Sequence, residues 1–141
     1  MNNQLRCIML INDNASDNFF HDREIKKINP GYIVLTMNTA IEALSYLKAK
    51  NTERIHPDLI FLDINMPVMN GWEFLQEYEH MEKKLQPRTI IIMLTTSENI
   101  YDKEKAKNLV IVSDYMTKPL TKEILNWIII KYFNNNNKAN H

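Results

Sequence analysis

The feature that most constrains the fold of this chain is the regular alternation of short apolar runs with longer amphipathic stretches. Three of the runs, at residues 7–11, 59–62 and 90–94, are almost uninterrupted hydrophobics, which indicates strands that are buried on both faces. Such strands are typical of a parallel sheet covered by helices on both sides. The five runs are Leu5–Ile11, Tyr32–Met37, Asp58–Leu62, Thr89–Leu94 and Leu109–Tyr115.

The stretches between and after these runs carry helix signals. Ser, Thr and Gly residues stand where helices would begin, and the segment 39–42 has the pattern of a capping box. Apolar residues then recur at helical spacing. Five strands and five helices in strict alternation predict an α/β fold of the (βα)5 type. The residues expected to cap or open the helices are Ser16, Thr39, Gly71, Ser97 and Thr121.

The chain of 141 residues has the length of one domain. We expect the folded domain to span residues 1–133 and residues 134–141 to form a disordered polar tail, because that stretch has too little apolar surface to offset the cost of ordering. The single cysteine, Cys7, excludes an intramolecular disulfide. No signal peptide precedes the first run and no apolar run is long enough to span a bilayer, so a cytoplasmic location is expected.

The charge balance argues against some partners. The 17 Lys and Arg residues equal the 17 Asp and Glu residues, so the formal net charge is zero. This balance gives no electrostatic reason to expect binding to nucleic acid or to a membrane. Any charged site must therefore be local.

Reactive polar residues follow four of the five apolar runs. Asn12 and Asp13 follow the first run, Asp63 the third, Thr95 the fourth and Lys118 the fifth. In an open parallel sheet the carboxyl ends of the strands share one edge, and ligands bind there near the point where the winding reverses. Each residue alone could be an ordinary turn residue, helix cap or solvated charge. Because all of them would lie at this edge, the sequence predicts a ligand-binding or reactive site there.

These residue types suit phosphoryl transfer. Two neighbouring carboxylates, Asp13 and Asp63, would hold one cation between them, and Mg²⁺ typically takes one or two carboxylates with waters and a phosphate. A carboxylate can also attack phosphorus and give an aspartyl phosphate. Lys118 and Thr95 would then stabilise the phosphoryl oxygens.

The segment 63–71, which reads Asp-Ile-Asn-Met-Pro-Val-Met-Asn-Gly, resembles the phosphoacceptor loop of response-regulator receiver domains. Asn12-Asp13, Thr95 and Lys118-Pro119 stand in the order of that family, so the resemblance covers about Leu5–Phe133. It implies a doubly wound, flavodoxin-like sheet in the order 2-1-3-4-5. It also implies that Asp63 accepts a phosphoryl group from a histidine kinase or a histidine phosphotransfer protein.

The resemblance further implies the metal ligands. Asp13 and Asp63 would bind Mg²⁺ together with the backbone carbonyl of Asn65. Asn12 departs from the family, which usually has an acidic residue there that reaches the metal through water. An amide brings no charge, so we expect weaker Mg²⁺ affinity. No organic cofactor is expected.

The remaining roles concern the phosphoryl group and the switch. Thr95 and Lys118 would hold phosphoryl oxygens, and Thr95 and Tyr115 would form the switch that follows phosphorylation. The bond between Lys118 and Pro119 would be cis. At the start of the first helix, Phe20 is expected to join a buried stripe with Ile25 and Ile28, which leaves Phe19 more exposed. Phe19 would then contact the phosphodonor.

The leading hypothesis is therefore a free-standing signalling domain, not an enzyme, whose output passes to an unknown downstream protein through helix four, strand five and helix five. A phosphorylation-independent receiver that serves as an interaction module is the alternative, supported only by Asn12. A phosphatase with an aspartyl-phosphate intermediate is disfavoured, because Asn65 stands where such enzymes commonly have an acid. A flavin-binding protein is disfavoured because no Ser/Thr-rich loop follows the first run.

Overall fold

A computed structural model describes residues 4–49, 54–81 and 88–133, in which strands and helices alternate as the sequence pattern predicts. The strands are β1 (Cys7–Ile11), β2 (Ile33–Met37), β3 (Leu59–Leu62), β4 (Ile90–Thr95) and β5 (Asp114–Thr117). The helices are α1 (Ala15–Ile28), α2 (Ala40–Lys48), α3 (Gly71–Glu79), α4 (Ile100–Lys107) and α5 (Lys122–Tyr132). The expected tail at 134–141 lies outside the described residues.

The strands form one parallel sheet in the order β2-β1-β3-β4-β5, which confirms the flavodoxin-like (βα)5 fold. Ile11, at the end of β1, pairs with Met37 on one side and with Leu62 on the other. The carboxyl ends of β1 and β3 are therefore level, and they adjoin the point where the winding reverses.

Two hydrophobic cores lie on opposite faces of the sheet. Met9 and Ile60 face the core that includes Phe74 of α3, whereas Ile8 and Phe61 face the second core. Successive side chains of a strand point to opposite faces, so an uninterrupted apolar run fills both cores at once. The three continuous runs are buried along their strands for this reason.

The predicted position of the fifth strand was wrong. The expected run was Leu109–Tyr115, but β5 covers Asp114–Thr117, and Val110 is fully exposed in the preceding turn. Leu109 and its apolar neighbours pack against a core from this turn without joining the sheet. An edge strand pairs with one neighbour only, so its sequence need not be continuously apolar.

Two of the predicted helix starts were also wrong. Asn14, and not Ser16, caps α1, and its Oδ1 accepts a hydrogen bond from the N–H of Asp17 at 3.0 Å. Asn99, and not Ser97, caps α4. Asn is as good a cap as Ser, so the sequence offered two suitable residues at each start.

The other three helix starts agree with the prediction. Thr39 and Thr121 cap α2 and α5 through their hydroxyls. Only half of the predicted capping box forms at α2, because the Glu42 carboxylate accepts from the N–H of Asn38 instead of that of the cap. Gly71 opens α3 behind its cap, Asn70.

Among the described residues, none of the helices combines the length and the apolarity that crossing a bilayer requires.

Candidate functional site

Asp63 lies at the carboxyl edge of the sheet, directly after β3. Its backbone N–H donates to the carbonyl of Ile11 at 3.0 Å, which extends the pairing with β1 by one residue. The side chain of Asp63 is buried. The residue expected to accept phosphate is thus placed level with Asn12, at the end of the neighbouring strand.

Lys118 reaches the same edge from the far side of the sheet. Its backbone N–H donates to the carbonyl of Thr95 at 2.9 Å, and its peptide bond to Pro119 is cis, as expected. The ammonium Nζ lies 3.3 Å from Oδ2 of Asp63, and each of the two side chains is only 9% exposed. The fold therefore joins two opposite charges that are 55 residues apart in the chain.

The ammonium of Lys118 has a second partner that the sequence did not single out. Oδ2 of Asp17 accepts from Nζ at 2.7 Å, a shorter distance than the one to Asp63. Asn12 Nδ2 donates to the same oxygen at 3.3 Å. Lys118 thus bridges two carboxylates, one after β3 and one in the first turn of α1.

The electrostatics of Asp17 follow from these contacts. Partial burial raises the pKa of its carboxyl, but the hydrogen bonds from Lys118 and Asn12 and the charge of Lys118 outweigh burial and hold that pKa below its ordinary value. The N-terminus of α1 also favours a negative charge at this position. Asp17 is therefore an anion at neutral pH.

Asn12 is held on several sides within the turn between β1 and α1. Its Oδ1 accepts from the N–H of Asn14 at 3.1 Å, and its carbonyl accepts from Nδ2 of Asn18 at 2.9 Å. With the bond to Asp17, the amide uses both its donor and its acceptor inside the protein. This residue orders the turn as well as facing the site.

The two proposed switch residues both contact Ser97, two residues beyond β4. Thr95 is buried, and its Oγ1 accepts from the N–H of Ser97 at 3.2 Å. Tyr115 is half-buried, and its hydroxyl donates to the Ser97 carbonyl at 2.9 Å. The segment that leads into α4 is therefore connected to β4 and to β5 through one residue.

Asp13 and Asn65 complete the expected metal ligands, and both side chains are exposed at the same edge. Within the part of the chain that the structure describes, no three His, Cys, Asp or Glu side chains are grouped as a metal site would need. Mg²⁺ does not require such a group, because it binds through one or two carboxylates, backbone oxygens and water. The hard oxygen donors at this edge fit Mg²⁺.

The loop after Asp63 is held close to the main chain of that residue. The N–H of Gly71 donates to the carbonyl of Ile64 at 2.8 Å, and a Cβ at Gly71 would lie 2.6 Å from the carbonyl oxygen of Asp63. No side chain fits there. Within the loop, Val68 has a φ of 71°, and the N–H of Met69 donates to the carbonyl of Pro67, which forms a tight three-residue turn.

His21 is a second residue that the sequence did not single out. It is buried on α1 and lines a small cavity together with Asn18, Asn12 and Asp63. Burial lowers the pKa of the His21 imidazole, and the Lys118 ammonium lowers it further, whereas nearby carboxylates oppose the shift. Polar residues at positions 17, 18, 21 and 24 lie at helical spacing, and this was the available signal.

The exposed surface of α1 agrees only in part with the prediction. Phe19 is 66% exposed, as expected. Phe20 was expected to join the buried stripe with Ile25, but it is 40% exposed and its ring meets the edge of His21. The buried residues of α1 are Asn18, His21, Glu24 and Ile25.

Comparison with known proteins identifies the family. The family model of the response regulator receiver domain matches residues 8–129. The chain belongs to this family, whose members are signalling domains of two-component systems. Protein PilG of Pseudomonas aeruginosa is 32% identical over 119 residues, which are 84% of this chain and 80% of PilG. Hybrid signal transduction histidine kinase B of Dictyostelium discoideum is 29% identical over 85% of this chain but only 6% of the kinase.

Solved structures agree with this assignment. A two component response regulator from Cytophaga hutchinsonii superposes with a TM-score of 0.82 at 26% identity, over 92% of this chain and 97% of that one. The phosphorylated cyanobacterial phytochrome response regulator RcpA gives 0.72 at 29% identity, over 89% of both chains. The Mn²⁺-bound form of response regulator Rcp1 gives 0.70 at 25% identity, over 87% of this chain and 88% of that one.

Proposed function

We propose that this receiver domain accepts a phosphoryl group on Asp63, with the help of Mg²⁺, from a histidine kinase or a histidine phosphotransfer protein. The observation that carries the proposal is the position of Lys118, whose ammonium lies 3.3 Å from Oδ2 of the buried Asp63. An interaction module that is never phosphorylated would have no need to hold a buried ammonium against this carboxylate.

The chemistry of the transfer follows from the residues at the edge. A carboxylate oxygen of Asp63 forms a bond to phosphorus while the bond from phosphorus to the donor's imidazole nitrogen breaks, and that nitrogen keeps the electron pair. Lys118 stabilises the charge on the phosphoryl oxygens, and the hydroxyl of Thr95 turns from Ser97 to donate to one of them. The site mainly positions the phosphoryl group and neutralises the charge on its oxygens.

The metal supplies charge neutralisation at the phosphoryl oxygens when it is bound. Asp13, Asp63 and the carbonyl of Asn65 would hold it, and Asn12 would reach it through water. Two of the similar proteins support the proposal by likeness, because the Rcp1 structure is a Mn²⁺-bound form and the RcpA structure is a phosphorylated one.

The output surface is proposed to lie beside α4 and β5. A groove of about 490 Å³ is lined by residues of both elements, and Tyr115 is one of them. If Thr95 leaves Ser97 on phosphorylation, the hydrogen bond from Tyr115 to the same residue is the next contact to be affected. A change in the site would therefore reach this groove through Ser97. The downstream protein would bind there.

Phosphorylation is tested by intact mass. The protein is incubated with Mg²⁺ and acetyl phosphate or phosphoramidate, and one phosphoryl adduct is expected that is absent in Asp63→Asn. Asp22→Asn, which removes a partly exposed carboxylate from α1, serves as a matched control and should keep the adduct. No adduct in the native protein would favour the phosphorylation-independent module instead.

The role of Asn12 is tested by Mg²⁺ titration. Asn12→Asp would place a carboxylate beside those of Asp17 and Asp63, and the added negative charge should raise the Mg²⁺ affinity. The titration can be followed through the fluorescence of Trp72, which adjoins Gly71 in the first turn of α3. Equal Mg²⁺ affinities in the two proteins would contradict this role.

A further inference from the structure

The site contains one carboxylate that phosphoryl transfer does not need. Asp17 accepts from the Lys118 ammonium at 2.7 Å, whereas Asp63 lies at 3.3 Å from the same nitrogen. The side chain of Asp17 is 33% exposed and that of Lys118 is 9% exposed, so water screens this pair only in part. In the unphosphorylated protein, Asp17 is the nearer partner of Lys118.

Asn12 and the start of α1 fix the position of Asp17. Asn12 donates to Oδ2 of Asp17, and the N–H of Asp17 donates to the side chain of Asn14. An aspartate at position 12 would turn a second negative charge toward Asp17 instead of a donor. The amide of Asn12 is therefore complementary to Asp17, which gives a reason for the departure from the family at this position.

A phosphoryl group on Asp63 must compete with Asp17 for the same ammonium. Phosphorylation replaces the single charge of the Asp63 carboxylate by a group with a charge of about −1.5 to −2 and three acceptor oxygens. Asp17 opposes this group in two ways, because it holds Nζ of Lys118 by the shorter hydrogen bond and because its own charge repels the phosphoryl oxygens.

We propose that Asp17 is a positioning residue that holds Lys118 in the unphosphorylated state and thereby lowers the affinity of the site for a phosphoryl group. The ammonium of Lys118 moves from Asp17 toward the phosphoryl oxygens when Asp63 is modified. This inference rests on the proposed function, since it assigns Asp17 a part in the same site. Asp17 does not touch the phosphoryl group, and it acts through its hold on Lys118 and through the repulsion of its charge.

Beryllofluoride tests the inference, because it binds as a non-covalent substitute for the phosphoryl group. Calorimetric titrations at saturating Mg²⁺ compare the native protein with Asp17→Asn and with Asp22→Asn. Asp17→Asn is expected to bind beryllofluoride about two- to fivefold more tightly, the size that loss of one partly exposed ion pair allows. Asp22 lies on the same helix, where it pairs with Lys26 at 3.5 Å, and its substitution should leave the affinity unchanged.

A conservative variant separates this role from a structural one. Asp17→Glu restores a carboxylate that can reach Lys118, so its affinity should return toward the native value, whereas a damaged fold would weaken binding in both Asp17 variants. Thermal unfolding of the ligand-free proteins checks folding, and Asp17→Ser replaces Asp17→Asn if the latter does not fold. Equal or weaker binding by a folded Asp17→Asn overturns the inference. If the native protein binds no beryllofluoride at all, the proposed function fails and the inference with it.

Discussion

The centre of the sheet and its β5 edge differ in depth of burial. Every residue of β1 and of β3 is buried, and the carboxylate of Asp63 follows directly from this interior. In β5 no residue is fully buried, and in α4 only Ala106 is. The proposed phosphoacceptor thus follows the most deeply buried part of the sheet, whereas few residues are buried on the proposed output side. Elements that must move are drawn from regions of low local stability, so this contrast suits a switch.

The largest effect is expected when a buried isoleucine of the sheet and an exposed isoleucine of α4 are each replaced by alanine. Ile92→Ala, in the middle of β4, removes a fully buried side chain and should lower the free energy of unfolding by about 2–5 kcal/mol. Ile100→Ala, on the exposed face of α4, should change it by less than about 0.5 kcal/mol. Urea unfolding measures both, and similar losses would show that α4 is as firmly packed as the sheet.

A second test concerns the close approach of α3 to Asp63. Gly71→Ala would bring a methyl group to 2.6 Å from the backbone of Asp63, and the forced shift should cost about 1–3 kcal/mol and reduce phosphorylation. Gly31→Ala is the matched control, because its methyl group would meet only the side chain of Asn29, which can move. An unfolding energy and an adduct yield close to native in Gly71→Ala would refute the claim that this contact is rigid.

A third test asks whether Tyr115 belongs to the moving part. Tyr115→Phe loses the hydrogen bond to the Ser97 carbonyl, which should cost about 0.5–1.5 kcal/mol without beryllofluoride. The cost should vanish with beryllofluoride and Mg²⁺ present if the ring leaves Ser97. Tyr132→Phe loses hydrogen bonds to Ser113 and Asp114 on the α5 side, and its cost should be the same in both states. A cost for Tyr115→Phe that persists in both states would make Tyr115 a fixed residue.

The smallest expected effect is a dependence on pH that arises in the buried part of the molecule. Because burial lowers the pKa of His21, the unfolded chain binds a proton there more readily than the folded one. The free energy of unfolding should therefore decrease as the pH falls below the ordinary histidine pKa of about 6.5. His21→Asn should reduce this slope, whereas His80→Gln, at the exposed end of α3, should keep it. If the slope is unchanged in His21→Asn, the pH dependence of the unfolding free energy arises from another group.

The same contrast explains which parts of the fold could be predicted from the sequence. β1, β3 and β4 fill both cores, so their continuous apolar runs were unambiguous. β5 lies at the edge of the sheet. The more apolar residues just before it belong to a turn that packs against the core, so the apolar pattern predicted the strand too early in the chain. The predicted cap residue was wrong at the two helices where a Ser lies two residues from the Asn that caps the helix.

The site divides in the same way. Asp63 and Lys118 were predictable because topology alone brings strand ends to one edge. Asp17 and His21 were not, because their role depends on which face of α1 turns toward the sheet, and an acid in the first turn of a helix is common for other reasons. The sequence predicted where Asp63 and Lys118 lie along the edge of the sheet. That Lys118 contacts Asp17 as well as Asp63 could be seen only from the positions of the side chains.

The missing side chain at Gly71 has a consequence for the direction of motion. Since even a Cβ at Gly71 would lie 2.6 Å from the carbonyl oxygen of Asp63, the backbone of this proposed phosphoacceptor cannot yield toward α3 when a donor presses on it. Any displacement of the Asp63 backbone must therefore lead away from α3. A single residue without a side chain thus closes one direction of motion to the site.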